Sequence, residues 1–289
     1  MDNIEILGIK LHPVTHEEAL LKLKEFSVKE GSYLVCTPNV EFVVKAQKDS
    51  EFYDILNNYS ALNLVDGVGL LWASRFLAYK SPTKPVFHEI ITTIQWILSL
   101  SLLPLILKYT EGPIPEKISG SDFILSVCRF AADNKLKVFL LGGAPTVAER
   151  TALHLQTDIF NLRIAGVHSG TPKETRQIID VIKKSKADIL LVAFGAPKQE
   201  KWLRQNLEKT GCKIGIGLGG SFDFIAGVRK RAPLWVRRAG FEWLYRLIQE
   251  PKRFYRQLAL PKFALTVLVA KLTHRPIFKI NHPEKRGAI

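Results

Sequence analysis

Val138–Leu141 reads VFLL and Ile189–Phe194 reads ILLVAF. Neither run alternates apolar with polar residues, so neither strand can keep one face in water. Unbroken apolar runs of this length are what a parallel sheet covered on both faces requires. Both end in glycine, at Gly142-Gly143 and at Gly195. Working outward, the same pattern recurs. Ser32–Cys36 ends at Thr37-Pro38-Asn39, Ala61–Val65 at Asp66-Gly67, Leu162–Val167 at His168-Ser169-Gly170 and Lys213–Leu218 at Gly219-Gly220. Ile4–Leu11 reads as a first strand. Helical segments lie between, including Pro145–Gln156, Lys173–Lys184 and Pro197–Lys209. Thr15-x-x-Glu18 forms a capping box that opens a helix with Ala19, Leu20 and Leu23 on its inner face. This alternation predicts an α/β fold: a Rossmann-like, mostly parallel sheet with helices on both faces. There is no repeat at a solenoid period.

The chain has 289 residues, 47% of them hydrophobic, which is enough for a full core and excludes a disordered or fibrous protein. Its three cysteines, Cys36, Cys128 and Cys212, form no CxxC pair, which fits a reducing compartment and no metal site. The start, Met1-Asp2-Asn3-Ile4-Glu5, is acidic and lacks the apolar region of a signal peptide, so a cytoplasmic protein is expected. The net charge of +14 raises nucleic acid, lipid headgroups and nucleotides as partners.

That charge is concentrated at one end. Residues 229–289 hold 15 Lys+Arg against 3 Asp+Glu, together with Trp235, Phe241, Trp243, Tyr245, Phe254 and Tyr255. Basic residues among bulky aromatics suit an anionic membrane leaflet, and arginines suit a phosphate. The βαβ rhythm stops near Gly227. We therefore expect an α/β catalytic domain over 1–227 and a basic, aromatic C-terminal lid that binds membrane over 228–289. A second boundary surrounds an apolar insertion at about 84–112. Within it, IITTIQWILSLSLLPLIL at 90–107 carries no charge until Lys108 and is interrupted by Pro104. Its length allows an interfacial helix, a buried core helix or a membrane span.

In parallel sheets, ligands sit outside the carboxyl ends of the strands. Thr37 and Asn39 lie at one such end and can bond a sugar, or simply cap the next helix. Asp66 lies at another, beside Gly67 and Gly69 that allow close approach, and can act as a general base or as an N-cap. Gly142-Gly143-Ala144-Pro145 offers backbone N–H groups at a helix start. Gln199 can read a uracil edge or a sugar hydroxyl. Asp223 can accept a ribose hydroxyl or uracil N–H, or cap a short helix. Arg246, Arg253 and Arg256 can clamp a diphosphate or face solvent or lipid. The spacing Gly215-x-Gly217-x-Gly219-Gly220 is not the dinucleotide fingerprint, and no acid sits about 20 positions on at a second strand end. There is no DxD, HExxH, GxSxG or Walker lysine loop.

TPN at 37–39, DGVGL at 66–70, GSD at 120–122, FLLGGAP at 139–145, FGAPKQEKW at 194–202, GLGGSFDFIAG at 217–227, RAP at 231–233 and EWLYRLIQEPKRFYRQ at 242–257 resemble the WecG/TagA/CpsF glycosyltransferases. The eight blocks run in order over nearly the whole chain. The resemblance implies an inverting, metal-independent transferase needing no cofactor. It would move N-acetylmannosamine, or its uronic acid, from UDP onto a lipid-diphosphate-linked N-acetylglucosamine at the cytoplasmic face of the membrane, in cell-surface polymer synthesis. It implies that Asp66 is the base, that Thr37, Asn39 and Gln199 line the sugar pocket, and that Asp223 lies near the nucleotide. Arg246, Arg253 and Arg256 would reach the diphosphates from a mobile lid. Lys117 stands where the family usually has Arg, which keeps the charge and loses the bidentate fork. The insertion is not part of the common pattern, and we expect it to dock on membrane.

The partners expected on this reading are a UDP-sugar donor, a polyprenyl-diphosphate-linked sugar acceptor and an anionic membrane surface, with no nucleic acid; a homo-oligomer stays open. The location expected is peripheral, at the inner face of the cell membrane. The rivals are a nicotinamide-dependent dehydrogenase and a non-catalytic nucleic-acid- or membrane-binding protein.

Overall fold

A computed structural model of the chain describes residues 3–79, 85–105, 111–170, 175–273 and 278–281. Parts of the expected insertion (84 and 106–110), of the expected helix Lys173–Lys184 (173 and 174) and of the expected C-terminal lid (274–277 and 282–289) lie outside the described residues.

Among the described residues nine strands run in chain order: β1 (Asn3–Ile6), β2 (Ile9–Leu11), β3 (Tyr33–Cys36), β4 (Ser60–Asn63), β5 (Lys137–Gly142), β6 (Arg163–His168), β7 (Ile189–Ala193), β8 (Ile214–Gly217) and β9 (Phe278–Asn281). The helices that matter below are α1 (His16–Val28), α2 (Val40–Ala46), α3 (Ser50–Asp54), α4 (Val68–Ala78), α5 (Pro85–Ser101), α6 (Gly120–Asp133), α7 (Val147–Asp158), α8 (Thr175–Ser185), α9 (Lys198–Thr210), α10 (Ser221–Ile225), α11 (Leu234–Arg238), α12 (Glu242–Gln249), α13 (Phe254–Gln257) and α14 (Ala259–Leu272). Six strands form one sheet in the order β4-β3-β8-β7-β5-β6, and every neighbouring pair is parallel. The expected α/β fold is present.

Both faces of this sheet are covered, as the unbroken runs require. On β5, Phe139 and Leu141 point into one core while Val138 and Leu140 point into the other; on β7, Leu190 and Val192 oppose Ile189 and Leu191 in the same way. The first core takes α2, α4, α9 and α14, and the second takes α1, α6 and α7. β8 alternates isoleucine with glycine for a related reason. A Cβ on Gly215 would lie 2.8 Å from Leu203 Cδ2 and Leu207 Cδ1, and one on Gly217 would lie 2.7 Å from Gln199 Nε2. These glycines let α9 press onto the strand, so their spacing serves helix packing. The Thr15 capping box is formed: Thr15 Oγ1 accepts from Glu18 N–H (3.2 Å), and Glu18 Oε2 accepts from Thr15 N–H (2.8 Å).

Two expectations are corrected. Ile4–Leu11 is not one strand of the main sheet. Leu7 and Gly8 take positive φ (50° and 76°), the geometry of a tight hairpin turn, so the segment folds back as β1 and β2. With β9 it makes a separate antiparallel three-stranded sheet. Gly142-Gly143-Ala144-Pro145 is not at the ligand cleft described below. A Cβ on Gly142 would meet the Ala193 backbone at 2.9 Å, and Gly143 N–H donates to Ala193 O (3.1 Å). The glycine pair locks β5 to β7.

Beyond Gly227 the chain behaves in two ways. Residues of α12, α13 and the 3₁₀ turn between them (Pro251–Arg253) surround a cleft, and none of them is fully buried. α14, by contrast, buries Phe263, Val267 and Ala270 in the first core against α2, α4 and α5. Its Lys271 Nζ donates to Phe76 O and to Tyr79 O (3.0 Å), capping the end of α4. Burial lowers this amine to about 8.

α5 is neither a buried core helix nor a span. Its outer residues are exposed, and no helix among the described residues is long and apolar enough to cross a membrane.

Candidate active site

Four neighbouring strands, β4, β3, β8 and β7, end at one cleft of about 390 Å³. Thr37 and Asn39 follow β3, Asp66 follows β4, Gly195 and Gln199 follow β7, and Gly219 and Asp223 follow β8; all of them line it. The opposite wall is C-terminal: Arg246 from α12, Arg253 from the 3₁₀ turn and Arg256 from α13. Lys117 completes the residues to which the resemblance gave a catalytic or binding role, and each of them borders the same cavity.

Asp66 is held by backbone on both sides. Its N–H donates to Pro38 O (2.8 Å), and Ile118 N–H donates to Val65 O (2.8 Å). The loop after β3 and the segment before α6 therefore close around the carboxylate. Burial raises its pKa from 3.8 to about 6, opposed by the charge of Arg246, reinforced by Glu242, and opposed again by Lys117 and the Gly120 N–H bond. A carboxylate poised near 6 is ionised at neutral pH and still basic enough to accept a proton.

Thr37 Oγ1 donates to Gly217 O (3.1 Å) and so ties β3 to β8. Asn39 Oδ1 accepts from Phe42 N–H (3.2 Å) and caps α2, the plain role open to it in the sequence, while its side chain still faces the cleft. Gln199 is 1% exposed. Its Oε1 accepts from Gly195 N–H (3.1 Å) and Gly219 N–H (2.9 Å), and its Nε2 donates to Glu200 Oε1 (2.7 Å). One N–H is left for a ligand, and the amide chiefly clamps the loops after β7 and β8 together.

The arginine wall is crowded. Arg253 falls below the usual guanidinium value through burial and through the charges of Arg256 and Arg246. Arg253 pairs with Glu250 (3.4 Å), Arg246 with Glu242 (3.3 Å) and Arg256 with Glu41 (2.7 Å). Even so, Nε of both Arg246 and Arg253 is buried without a hydrogen-bond acceptor. Arg229 reaches Glu250 and Asp223 (3.4 Å). Arg231 grips Asp122 at the start of α6 with two bonds, one of 2.7 Å, which fastens the segment leading to the wall. These donors suit an anion with several oxygens.

Sequence reasoning missed Glu41, Arg229, Arg237, Glu242 and Glu250, all of which line the cleft. Glu242 lies one turn before Arg246, a readable signal. Glu41 and Arg229 gave none beyond proximity to Asn39 and Asp223. Among the described residues no group of three or more His, Cys, Asp or Glu is placed to hold a metal ion.

Comparison with known proteins identifies relatives of this chain. The family described as "Glycosyl transferase WecG/TagA/CpsF family" matches residues 4–101 and 83–276, two stretches that overlap at 83–101, which includes the whole of α5. A protein of Bacillus spizizenii named N-acetylglucosaminyldiphosphoundecaprenol N-acetyl-beta-D-mannosaminyltransferase is 30% identical over 76% of this chain and 87% of its own length. Its namesake from Bacillus subtilis is 29% identical over 87% of this chain and 84% of its own. The Staphylococcus aureus namesake (strain MW2) is 26% identical over 93% of each. The chain belongs to the WecG/TagA/CpsF family of glycosyltransferases.

Proposed function

We propose that this glycosyltransferase moves N-acetylmannosamine, or a related sugar, from a UDP-sugar to a lipid-diphosphate-linked N-acetylglucosamine, with inversion, during synthesis of a cell-surface polymer. The acceptor and sugar are those in the names of its relatives. The observation that carries the chemistry is a carboxylate poised near pH 6 facing a crowded arginine wall across one cleft.

The acceptor hydroxyl oxygen forms the new bond to the anomeric carbon as the bond to the UDP phosphate oxygen breaks. Asp66 takes the hydroxyl proton. Negative charge develops on the leaving UDP and meets Arg246, Arg253 and Arg256, the task that cationic groups perform in phosphate-releasing sites. Lys117, Thr37 and Asn39 border the sugar, and Asp223 and Arg229 border the nucleotide. Gln199 holds the floor together more than it reads substrate.

Residues 1–227 are assigned the chemistry and the region from 228 onward the lid. The arginine-bearing part, to about Gln257, is carried on α14. A peripheral position on the inner leaflet follows from a lipid-linked acceptor and a basic C-terminal region.

The test is product analysis. The protein is incubated with a panel of UDP-sugars and a short-chain polyprenyl-diphosphate N-acetylglucosamine, and products are read by mass and anomeric coupling. One UDP-sugar should give a β-linked disaccharide lipid, and Asp66→Asn should bind UDP yet lose most turnover. No transfer from any UDP-sugar, or undiminished turnover by a folded Asp66→Asn protein, would overturn the assignment.

A further inference from the structure

α5 is inside out. Its residues at positions 88, 92, 95 and 99 share one face, and there His88, Thr92 and Ser99 are buried while Gln95 is partly so. Ser99 Oγ accepts from Trp72 Nε1 (2.8 Å) and donates to Trp96 O (2.8 Å), so this polar stripe is built into the protein. The outward side carries Phe87, Ile90, Ile94, Ile97 and Leu98, each at least half exposed. A helix bathed in water on its outer side has the opposite arrangement.

We propose that this outer face of α5 is a dedicated membrane anchor that lies in the headgroup and acyl boundary of an anionic bilayer. Three observations select lipid. First, the sequence places Lys80 and Lys84 before the helix and Lys108 after it, with no Lys or Arg from 85 to 105. That distribution matches an apolar stretch whose flanks meet anionic headgroups. Second, α5 has 17 residues and is therefore about 25 Å long. One of its faces is committed to α4 and α14, which suits a helix lying in the interface rather than crossing it. Third, the face adjoins the cleft through one helix. Trp96 Nε1 donates to Ala264 O of α14 (2.9 Å), and the first residues of α14, Ala259 and Leu260, line the cleft. Leu265 and Val269 of α14 are also half exposed. An anchor here sets the cleft beside the leaflet from which a lipid-linked acceptor would emerge. Its purpose rests on the proposed function, while its evidence does not.

The test uses the full chain and vesicles of phosphatidylglycerol and phosphatidylethanolamine at high salt, where the basic C-terminal region is screened. Ile90→Gln/Ile94→Gln/Ile97→Gln should weaken cosedimentation by about tenfold or more, with the unfolding midpoint unchanged because these side chains are already exposed. As a second arm, Ile94→Cys is labelled with an environment-sensitive fluorophore; Cys36, Cys128 and Cys212 are buried, so the label is selective. Its emission should shift to the blue on adding vesicles. Equal partitioning of the triple variant, or an unshifted label, would overturn the anchor. So would a parent dimer that the triple variant splits with vesicle binding unaltered, which would assign the face to a second copy. Transfer to a short-chain acceptor separates the two readings. Vesicle binding through α5 without transfer from any UDP-sugar sinks the proposed function alone, and transfer without such binding sinks the anchor alone.

Discussion

Glu200 gives the sharpest quantitative test of the site's foundation. It is fully buried on α9; Oε1 accepts from Gln199 Nε2, and Oε2 has no hydrogen-bond partner. Burial lifts its carboxyl from 4.5 to about 7. A group raised in this way favours folding while protonated. Its contribution is complete below about pH 4 and is lost as pH rises through about 7. The rise from 4.5 to about 7 corresponds to about 3 kcal/mol, of which about 2 kcal/mol or more falls between pH 5 and 8.5. Glu200→Gln cannot ionise and should lack this slope. Whatever constant offset the amide brings, the stability of the variant relative to the parent should improve by that amount across the interval. In a chain of this size that is roughly 4–8 °C in unfolding midpoint. The assay is thermal or urea unfolding of both proteins at pH 5, 6, 7 and 8.5, in which all other titrating groups cancel in the difference. A difference that stays flat with pH would refute the reasoning and show that Glu200 is ionised throughout.

Asp66 gives an activity profile: kcat/KM should fall as pH drops through about 6, where the carboxyl takes up a proton, and initial rates across pH 5–8 will read it. Arg253→Ala should weaken UDP binding by about tenfold or more in calorimetry, because a partly buried guanidinium with an unpartnered Nε is removed from the wall. Glu41→Gln should tighten UDP binding severalfold, because it frees Arg256 from its carboxylate partner; weaker binding would instead make Glu41 the residue that positions Arg256. Gly217→Ala should cost about 1–3 kcal/mol in urea unfolding, because the new methyl group meets Gln199 and Glu200 at under 3 Å.

The sheet was legible because its strands are covered on both faces, and such strands announce themselves as VFLL and ILLVAF. The strand-end residues were legible for the same reason, since a parallel sheet presents its loops on one edge. Three features were not. The β1–β2 hairpin hid in Ile4–Leu11 because the segment is short and mostly apolar; the break in alternation at Ile6-Leu7 and the single Gly8 are slight signals, and the backbone angles mark the turn. The clamping bonds of Gln199 were hidden because an isolated glutamine at a helix start carries no sign of its partners; the structure supplies two N–H donors and a buried acid. The C-terminal region looked uniform because its charge is uniform. Yet the positions of Phe263, Val267 and Ala270 at helical spacing bury α14 in the core, while the arginines ahead of it stand at the cleft.

The cleft's electrostatics explain why its arginines can wait without substrate. Each of them sits against an acid that also borders the cavity: Arg256 against Glu41, Arg253 against Glu250 and Arg246 against Glu242. On the proposed function, a diphosphate would not enter an empty positive field; it would exchange places with carboxylates. The exchange is easiest at the most exposed pair. Arg256 is about half exposed, and ion pairs in such settings are worth at most about 1 kcal/mol. Burial works against the charge of Glu41, but the bonds from Arg256 and Lys45 still hold its carboxyl below the ordinary value, so the acid stays ionised and keeps Lys45 when Arg256 leaves. Arg253 is already crowded by Arg256 and Arg246, so an arriving anion relieves repulsion there. On that reading, affinity would come from the difference between weak carboxylate pairs and multidentate phosphate contacts. One of the same carboxylates, Glu242, adds to the rise at Asp66, whose basicity depends on Arg246 opposing, and not overwhelming, the effect of its burial.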